Sequence, residues 1–210
     1  MLTPITLMTD VDRAEFWENL YRAESTGWDL GGPTPVFVHL LAGPEAPPPG
    51  TMLVPGCGRG YDALLFARAG FEVTGVDHAP SAVTAARALA EAEGTAATFL
   101  QADLFSLPAR FGGAFHYVVE YTCFCAIAPA RRAEYVEVMA GVLRPGGEIL
   151  ALFFPVLPPG YGPEGPPFAV SEEELRTYFG GRFEITDLAA SAHTISPRRG
   201  REMLGRLRRR

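Results

Sequence analysis

The sequence predicts an α/β protein, a single-domain doubly wound and mostly parallel seven-stranded sheet with a helical N-terminal segment in front of it. Three observations lead there. Apolar runs without polar alternation, such as Met52-Leu53-Val54, read as strands buried on both faces. These runs alternate with stretches of helical periodicity along most of the chain, as in a parallel sheet covered by helices on both sides. A glycine-rich turn, Gly56, Gly58 and Gly60, joins the first strand to its helix. At 210 residues, 48% hydrophobic and 20% charged, the chain is long enough for one complete core.

Each element follows in order. Residues 1–9 read as a loose arm. Asp10 can cap a helix over 11–23, with Asp12 in its first turn. Phe16, Trp17, Leu20 and Tyr21 share one face of it, an arrangement that ordinarily means core packing. Ser25-Thr26-Gly27 breaks this helix, and Trp28-Asp29 sits in the loop that ends at Gly31-Gly32-Pro33. A second helix covers 35–41, with proline near its start, and 43–50 is a proline-rich linker. Residues 1–50 therefore read as a cap that can cover one end of the sheet, and 51–210 as the sheet domain, together one compact unit.

The first strand is followed by a helix over 61–69 that Gly70 stops. A strand over 71–76 ends at Asp77. Pro80 opens an alanine-rich helix to residue 93, stopped by Gly94. The third strand, 97–100, places Asp103 just beyond its end. The fourth, 116–120, is rich in valine and tyrosine and leads into 121–129. A helix over 130–143 ends at Arg144-Pro145-Gly146-Gly147 and gives way to a strand over 148–154. Residues 160–168 form a Pro/Gly-rich loop. Ser171-x-x-Glu174 is a capping box for a helix to residue 179. Strands over 182–188 and 202–207 close the chain.

Ligands of such sheets sit beyond the carboxyl ends of the strands. Gly56 to Gly60, Asp77, Asp103 and Glu120-Tyr121 all fall at those ends, on four different strands. Asp77 lies about twenty residues beyond the first glycine, where an acid can accept hydrogen bonds from both ribose hydroxyls of an adenosine ligand. The glycine spacing separates two ligand classes. A dinucleotide turn is G-x-G-x-x-G; here the third glycine comes one place early and Tyr61 stands where that pattern wants glycine. The turn suits an adenosine carrying an amino acid and no phosphate.

Composition narrows the rest. A net charge of −6 creates no field that favours nucleic acid. The seven arginines from Arg198 to Arg210 motivate a nucleic-acid reading, but they also fit a solvated last strand and a frayed terminus. Cys57, Cys123 and Cys125 are an odd number without framework spacing, which points to buried free thiols in a reducing compartment. Cys123-x-Cys125 has no second Cys or His pair to complete a metal site. No secretory signal and no run of membrane-spanning length is visible. The expectation is a cytoplasmic protein, a monomer or weak dimer, without metal, nucleic acid or membrane partner.

Six stretches carry a resemblance: Trp17-x3-Tyr21-x6-Trp28-Asp29, VPGCGRGYD from Val54, Asp103-Leu104-Phe105, the run from Tyr121 to Pro129, LRPGGE, and Gly165 to Phe168. Through them the chain is similar to class I S-adenosylmethionine-dependent methyltransferases of the thiopurine S-methyltransferase superfamily, and within it to halide/thiol methyltransferases of plants. Trp17-x3-Tyr21-x6-Trp28-Asp29 resembles their W-x3-W-x6-WD segment, with Tyr21 where that pattern has tryptophan. VPGCGRGYD from Val54 resembles VPGCG-x-G-x-D, and Asp103-Leu104-Phe105 resembles D-x-F. The run from Tyr121 to Pro129 is similar to DY-x-FFCAI-x-P, with Glu120 for the acid and Cys123 in an apolar place. LRPGGE and Gly165-Pro166-Pro167-Phe168 match as well. The resemblance implies a Rossmann-like methyltransferase fold and S-adenosylmethionine as methyl donor, with S-adenosylhomocysteine as product. It implies that Trp17, Tyr21 and Trp28 form an aromatic wall near the sulfonium cation. Asp77 would hold the ribose, Asp103 with Leu104 would face the adenine, and Gly56 and Gly58 would run under the methionine. Tyr121 would line the methyl-transfer side as the catalytic residue, and the 160–168 loop would form part of a lid.

The acceptor implied is a small soft nucleophile, a thiol, bisulfide or halide, attacked in line without an obligatory base. No histidine dyad is visible, and His39, His78, His116 and His193 read as structural. The alternatives are an O- or N-methyltransferase using Glu120 or Asp29 as base, or a protein that binds the donor without catalysis.

Overall fold

The computed structural model describes residues 10–160 and 164–210. The arm expected over 1–9 and the centre of the 160–168 loop lie outside the described residues. Seven strands form one sheet: β1 (Thr51–Pro55), β2 (Glu72–Asp77), β3 (Thr98–Gln101), β4 (Phe115–Tyr121), β5 (Leu143–Phe153), β6 (Phe183–Ala190) and β7 (Met203–Arg209). Their order is β3-β2-β1-β4-β5-β7-β6. β1 to β5 run parallel, and β7 inserts antiparallel between β5 and β6.

Side chains alternate between two cores, as a strand's two-residue period demands. Met52, Val54, Tyr117, Val119, Leu150 and Leu152 face one side, under α2 (Pro35–Ala42), α3 (Tyr61–Arg68) and α4 (Pro80–Glu93). Leu53, Val118, Ile149, Ala151 and Phe153 face the other, under α5 (Leu107–Phe111), α6 (Arg132–Val142) and α7 (Glu172–Gly180). The doubly wound sheet expected from the sequence is thus present. Ser171 and Glu174 form the expected capping box.

Two local expectations need correction. Asp10 does not cap the first helix. It opens a short 3₁₀ turn, Asp10–Asp12, and α1 (Ala14–Arg22) starts later without a side-chain cap. The short 3₁₀ segment takes the residues that a regular α-turn would have used. Leu143 to Gly147 does not merely end α6. Leu143 already pairs with Phe115, and a register shift between Phe115 and Tyr117 absorbs the turn at Gly146 (φ 73°), so β5 begins five residues early. The 3₁₀ turn Leu104–Ser106 and the one-turn-plus α5 were not expected.

The N-terminal segment is tied to the sheet domain by side chains rather than by strand pairing. Glu18 on α1 accepts hydrogen bonds from the Ser81 amide (2.9 Å) and hydroxyl (2.7 Å) at the start of α4. A carboxylate there also meets the positive end of the helix dipole. These Ser81 bonds hold the Glu18 carboxyl below its ordinary value. Asp62, in the first turn of α3, accepts from the Thr34 amide and hydroxyl, both at 2.7 Å, and so places the start of α2. Arg131, before α6, pairs with Asp12 at 3.0 Å. These three links carry the segment across the carboxyl edge of the sheet.

Candidate active site

At that edge lies a cavity of about 630 Å³, inside the ordinary range for small-molecule sites. Of the residues singled out in the sequence, Trp17, Tyr21, Trp28, Gly56, Asp77, Asp103 and Leu104 line it. Gly58 and Tyr121 do not; they border a smaller cavity of about 60 Å³ that shares Tyr21, Trp28 and Gly56.

The glycine turn follows from what surrounds it. Gly56, Gly58 and Gly60 all have positive φ, at 59°, 54° and 85°, where L-residues are strained. A Cβ on Gly56 would stand 3.1 Å from Cys123 Sγ, and one on Gly58 3.1 Å from the Tyr21 hydroxyl. The Gly58 amide donates to Asp77 Oδ2 and the Ala79 amide to Oδ1, both at 2.9 Å. Asp77 is 8% exposed. Burial raises its carboxyl above the ordinary value, and the two backbone donors pull against that. Each oxygen keeps a second acceptor site, so the carboxylate is fixed in position and still able to bind.

Asp103 is exposed, and its Oδ1 accepts from the Phe105 amide at 2.9 Å, which starts the following 3₁₀ turn. Trp17 and Trp28, which also line the cavity, meet edge to face at 5.6 Å, and Tyr21 and Trp28 at 5.7 Å. Trp28 Nε1 donates to the Tyr21 hydroxyl at 3.3 Å, and Trp17 Nε1 to the Val11 carbonyl at 2.8 Å. The indole donors are therefore satisfied within the segment, and the Arg59 guanidinium lies 5.7 Å from the Tyr21 ring centre.

The wall on the β5 side holds residues the sequence reading did not select. Arg198 is 6% exposed and lines the large cavity. Its guanidinium bonds the Tyr121 hydroxyl, donates to the Trp28 carbonyl at 3.1 Å, lies 3.8 Å from Glu202, and covers the Phe154 ring at 4.6 Å. The Tyr121 hydroxyl donates in turn to Glu202 Oε1 at 2.8 Å, and Thr194 also bonds Glu202. Tyr121 is thus a junction between the N-terminal loop and the β6–β7 connection, and burial pushes its phenol up. Thr122, just past β4, has φ 58° and lines both cavities; a β-branched residue rarely holds that conformation, and no sequence pattern signals it. Pro166 and Pro167 close another side. Phe168 is tied back by its amide to the Cys125 carbonyl (2.7 Å) and by buried Arg132, which donates to the Phe168 carbonyl at 2.6 Å.

Neither carboxylate named for the alternative base lines the large cavity. Glu120 is buried below the turn, bonded to the Phe124 amide and the Tyr135 hydroxyl. Asp29 pairs with Arg59 beside the small cavity. Cys123 and Cys125 do line the cavity, and burial pushes Cys125 up to about 12 and Cys123 well above its ordinary value, so both stay as neutral thiols. Among the described residues, no group of three His, Cys, Asp or Glu side chains is placed to hold a metal ion.

The family model of thiopurine S-methyltransferase (TPMT) matches residues 12–208. The chain belongs to the thiopurine S-methyltransferase family. It is an S-adenosylmethionine-dependent methyltransferase. It is 36% identical over 194 residues to probable thiol methyltransferase 2 of Arabidopsis thaliana, covering 90% of this chain and 83% of that one. It is 33% identical over 195 residues to thiocyanate methyltransferase 1 of the same plant, at 90% and 82% coverage. Among solved structures it is similar to one that concerns conversion of a disulfide bond into a thioacetal group during echinomycin biosynthesis, with a TM-score of 0.77, 27% identity, and coverage of 93% and 92%. The geometry accounts for this chain's Val54-to-Asp62 run in physical terms: Gly56, Gly58 and Gly60 stand at positive φ, and Asp62 holds the N-terminal segment through Thr34.

Proposed function

We propose that the large cavity holds S-adenosylmethionine together with a small sulfur or halide nucleophile, and that this chain moves the methyl group onto that acceptor by in-line displacement. The observation that carries the reading is Asp77, a nearly buried carboxylate fixed by two backbone donors at the wall of a cavity lined by a glycine turn and aromatic rings. The residues present fit the donor. Asp77 has acceptor capacity left for a ribose diol, Gly56 holds a positive φ with Cys123 close behind it so that the bare backbone faces the cavity, and Trp17, Tyr21 and Trp28 line the same cavity with aromatic rings.

When bound, S-adenosylmethionine supplies an electrophilic methyl group on a positively charged sulfur. The protein's part is orientation and exclusion of water. Trp17, Tyr21 and Trp28 on the N-terminal segment act as a lid over the cavity that Pro166 and Pro167 also line. Asp103 and Leu104 line the adenine end. Tyr121 orients the wall through Arg198 and Glu202 rather than by taking a proton. A thiolate or halide brings its own electron pair, so no base is required, in keeping with the placement of Glu120 and Asp29 away from the large cavity. The names of the relatives, a thiol and a thiocyanate methyltransferase, support a soft acceptor. No helix among the described residues is long and apolar enough to cross a membrane, and three free thiols fit a reducing compartment, here the cytoplasm.

The test is transfer of a labelled methyl group to iodide, bisulfide, aromatic thiols and catechols, with calorimetric binding of S-adenosylhomocysteine. Sulfur and halide acceptors should be methylated and catechols should not. Asp77→Ala should weaken donor binding about a hundredfold, as loss of two hydrogen bonds to a charged group implies. Binding of nicotinamide dinucleotides in place of the donor, or methylation of catechols alone, would overturn the reading.

A further inference from the structure

The cavity is electrically divided along the sheet. Asp77 ends β2 and Asp103 follows β3, both on one side of β1. Arg198 and Arg201 precede β7, whose first residue, Met203, pairs with Phe153 at the carboxyl end of β5. Four strand spacings separate β2 from β7, about 19 Å at the usual 4.8 Å. All four charged residues line the same cavity, as does Asp12, whose charge is paired with Arg131. Asp77 and Asp103 thus lie toward one end and the two arginines toward the other.

The arginines differ. Arg198 is buried, and Glu202 at 3.8 Å compensates its charge. Arg201 is exposed at the cavity mouth. Its Nη2 donates to the Pro197 carbonyl at 2.5 Å, and its guanidinium lies 5.4 Å from the Phe154 ring centre. No carboxylate among the described residues lies within ion-pairing distance of it. Phe154 therefore faces one guanidinium that is paired with Glu202 and a second that makes no ion pair among the described residues, although Glu202 still feels its charge through space.

We propose that Arg201, set over Phe154 beside Arg198, forms an anion-selecting subsite that receives the methyl acceptor in its negatively charged form. The inference rests on the methyl-transfer reading of this cavity and adds to it the charge state of the acceptor. A guanidinium is weakly hydrated and keeps its charge at any working pH. A neutral thiol gains nothing from it, whereas a thiolate, bisulfide, thiocyanate or iodide does. A free thiol is only a few per cent ionised near neutral pH, so a positive mouth raises the share of captured acceptor that is ready to react. Arg201 is a specificity-determining residue in this account, and Arg198 the positioning residue behind it.

The experiment uses the whole protein, with Arg201→Gln and Arg201→Lys. Arg201 is exposed, and unchanged melting of both variants checks that they fold. Iodide and thiocyanate titrations of tryptophan fluorescence, with and without S-adenosylhomocysteine, read anion binding without turnover; neutral acrylamide serves as control. The wild type should show saturable quenching. In Arg201→Gln the half-saturating concentration should rise about fivefold, the size expected for one partly exposed charge, with acrylamide quenching unchanged and Arg201→Lys near the wild type. In turnover the same loss should appear in KM for iodide and thiocyanate and leave kcat nearly unchanged. Unsaturable iodide quenching in the wild type, or the same midpoint in Arg201→Gln, overturns the subsite. A saturable, Arg201-dependent anion site in a protein that binds no donor keeps the subsite and refutes the methyl-transfer reading, so the two failures are told apart.

Discussion

Replacing Glu120 by glutamine separates a structural carboxyl from a catalytic one. Glu120 is 1% exposed. One oxygen accepts the Phe124 amide at 2.8 Å, and the other accepts the Tyr135 hydroxyl. Burial pushes its carboxyl from the ordinary 4.5 up to about 7, against the hydrogen bonds that favour the ionised form. The native protein therefore holds a proton that the unfolded chain gives up. This contribution to stability is fully present below 4.5 and is lost as pH rises through about 7. Its full size is about 3 kcal/mol, of which about 1.4 kcal/mol disappears between pH 6 and pH 8. For a chain of this length that is roughly 3–5 °C in Tm. Glutamine cannot ionise, so the Glu120→Gln variant should lack this slope while other titrating groups, such as Asp62 at about 6, remain in both proteins. Urea unfolding of both proteins at pH 6, 7 and 8 measures the difference directly. Methyl transfer by the variant should stay within a few-fold of the wild type. Parallel pH slopes in the two proteins would refute the burial argument. Loss of thiol methylation with intact donor binding would make Glu120 the base after all.

Two further outcomes follow from packing. Gly60→Ala places a Cβ 2.9 Å from that of Ala86 and 3.1 Å from the Phe99 ring, at φ 85°, so overpacking and left-handed strain together should destabilise the protein by about 2–4 kcal/mol in urea unfolding; a loss under ~0.5 kcal/mol would mean the turn relaxes freely. Arg132→Met removes the donors to the Phe168 and Ala169 carbonyls from a buried position while keeping much of the volume, so hydrogen exchange at the Phe168 amide should speed up about tenfold or more with only a small change in Tm; unchanged exchange would show that Cys125 alone holds the segment.

What the sequence made legible was local or strictly periodic. The glycine turn, the strand before it and the acid at the end of β2 lie within one short stretch, and each has its own physical signature. Positive φ demands glycine, full burial demands apolar runs, and a strand end places Asp77 at the sheet edge. The capping box of α7 is equally local, because Ser171 and Glu174 satisfy each other's neighbours without outside help. The misplaced boundaries arose where pairing with a distant strand decided the outcome. Leu143 to Gly147 carries turn residues, yet Leu143 is drawn into β5 by Phe115. Asp10 is a good cap by type, but the chain enters α1 through a 3₁₀ turn whose Asp12 is engaged by Arg131. Glu120 and Asp29 are chemically able bases, and only their neighbours, Tyr135 and Arg59, show why they sit apart from the large cavity.

The arginine-rich tail is the clearest case of information that a linear reading cannot hold. Seven arginines in thirteen residues read as a solvated strand, and for Arg208, which is exposed, that reading describes the structure. Arg198 belongs to the same run and is 6% exposed, with its charge set between Tyr121, Glu202 and the Trp28 carbonyl. The difference comes from topology. β7 inserts between β5 and β6, so the turn that feeds it must pass the carboxyl edge of the sheet, over the end of β4. A cation at that point meets the Tyr121 hydroxyl and the loop from the N-terminal segment, 77 and 170 positions away in sequence. Its burial is tolerable because one carboxylate and two oxygen acceptors take over from water. The same insertion carries Arg201 to the cavity, where it makes no ion pair among the described residues because Glu202 turns to Arg198. Neighbouring arginines of identical type thus diverge into a buried strut and an exposed cation: the sheet order brings both to this edge, and the partners each one meets there decide which is which.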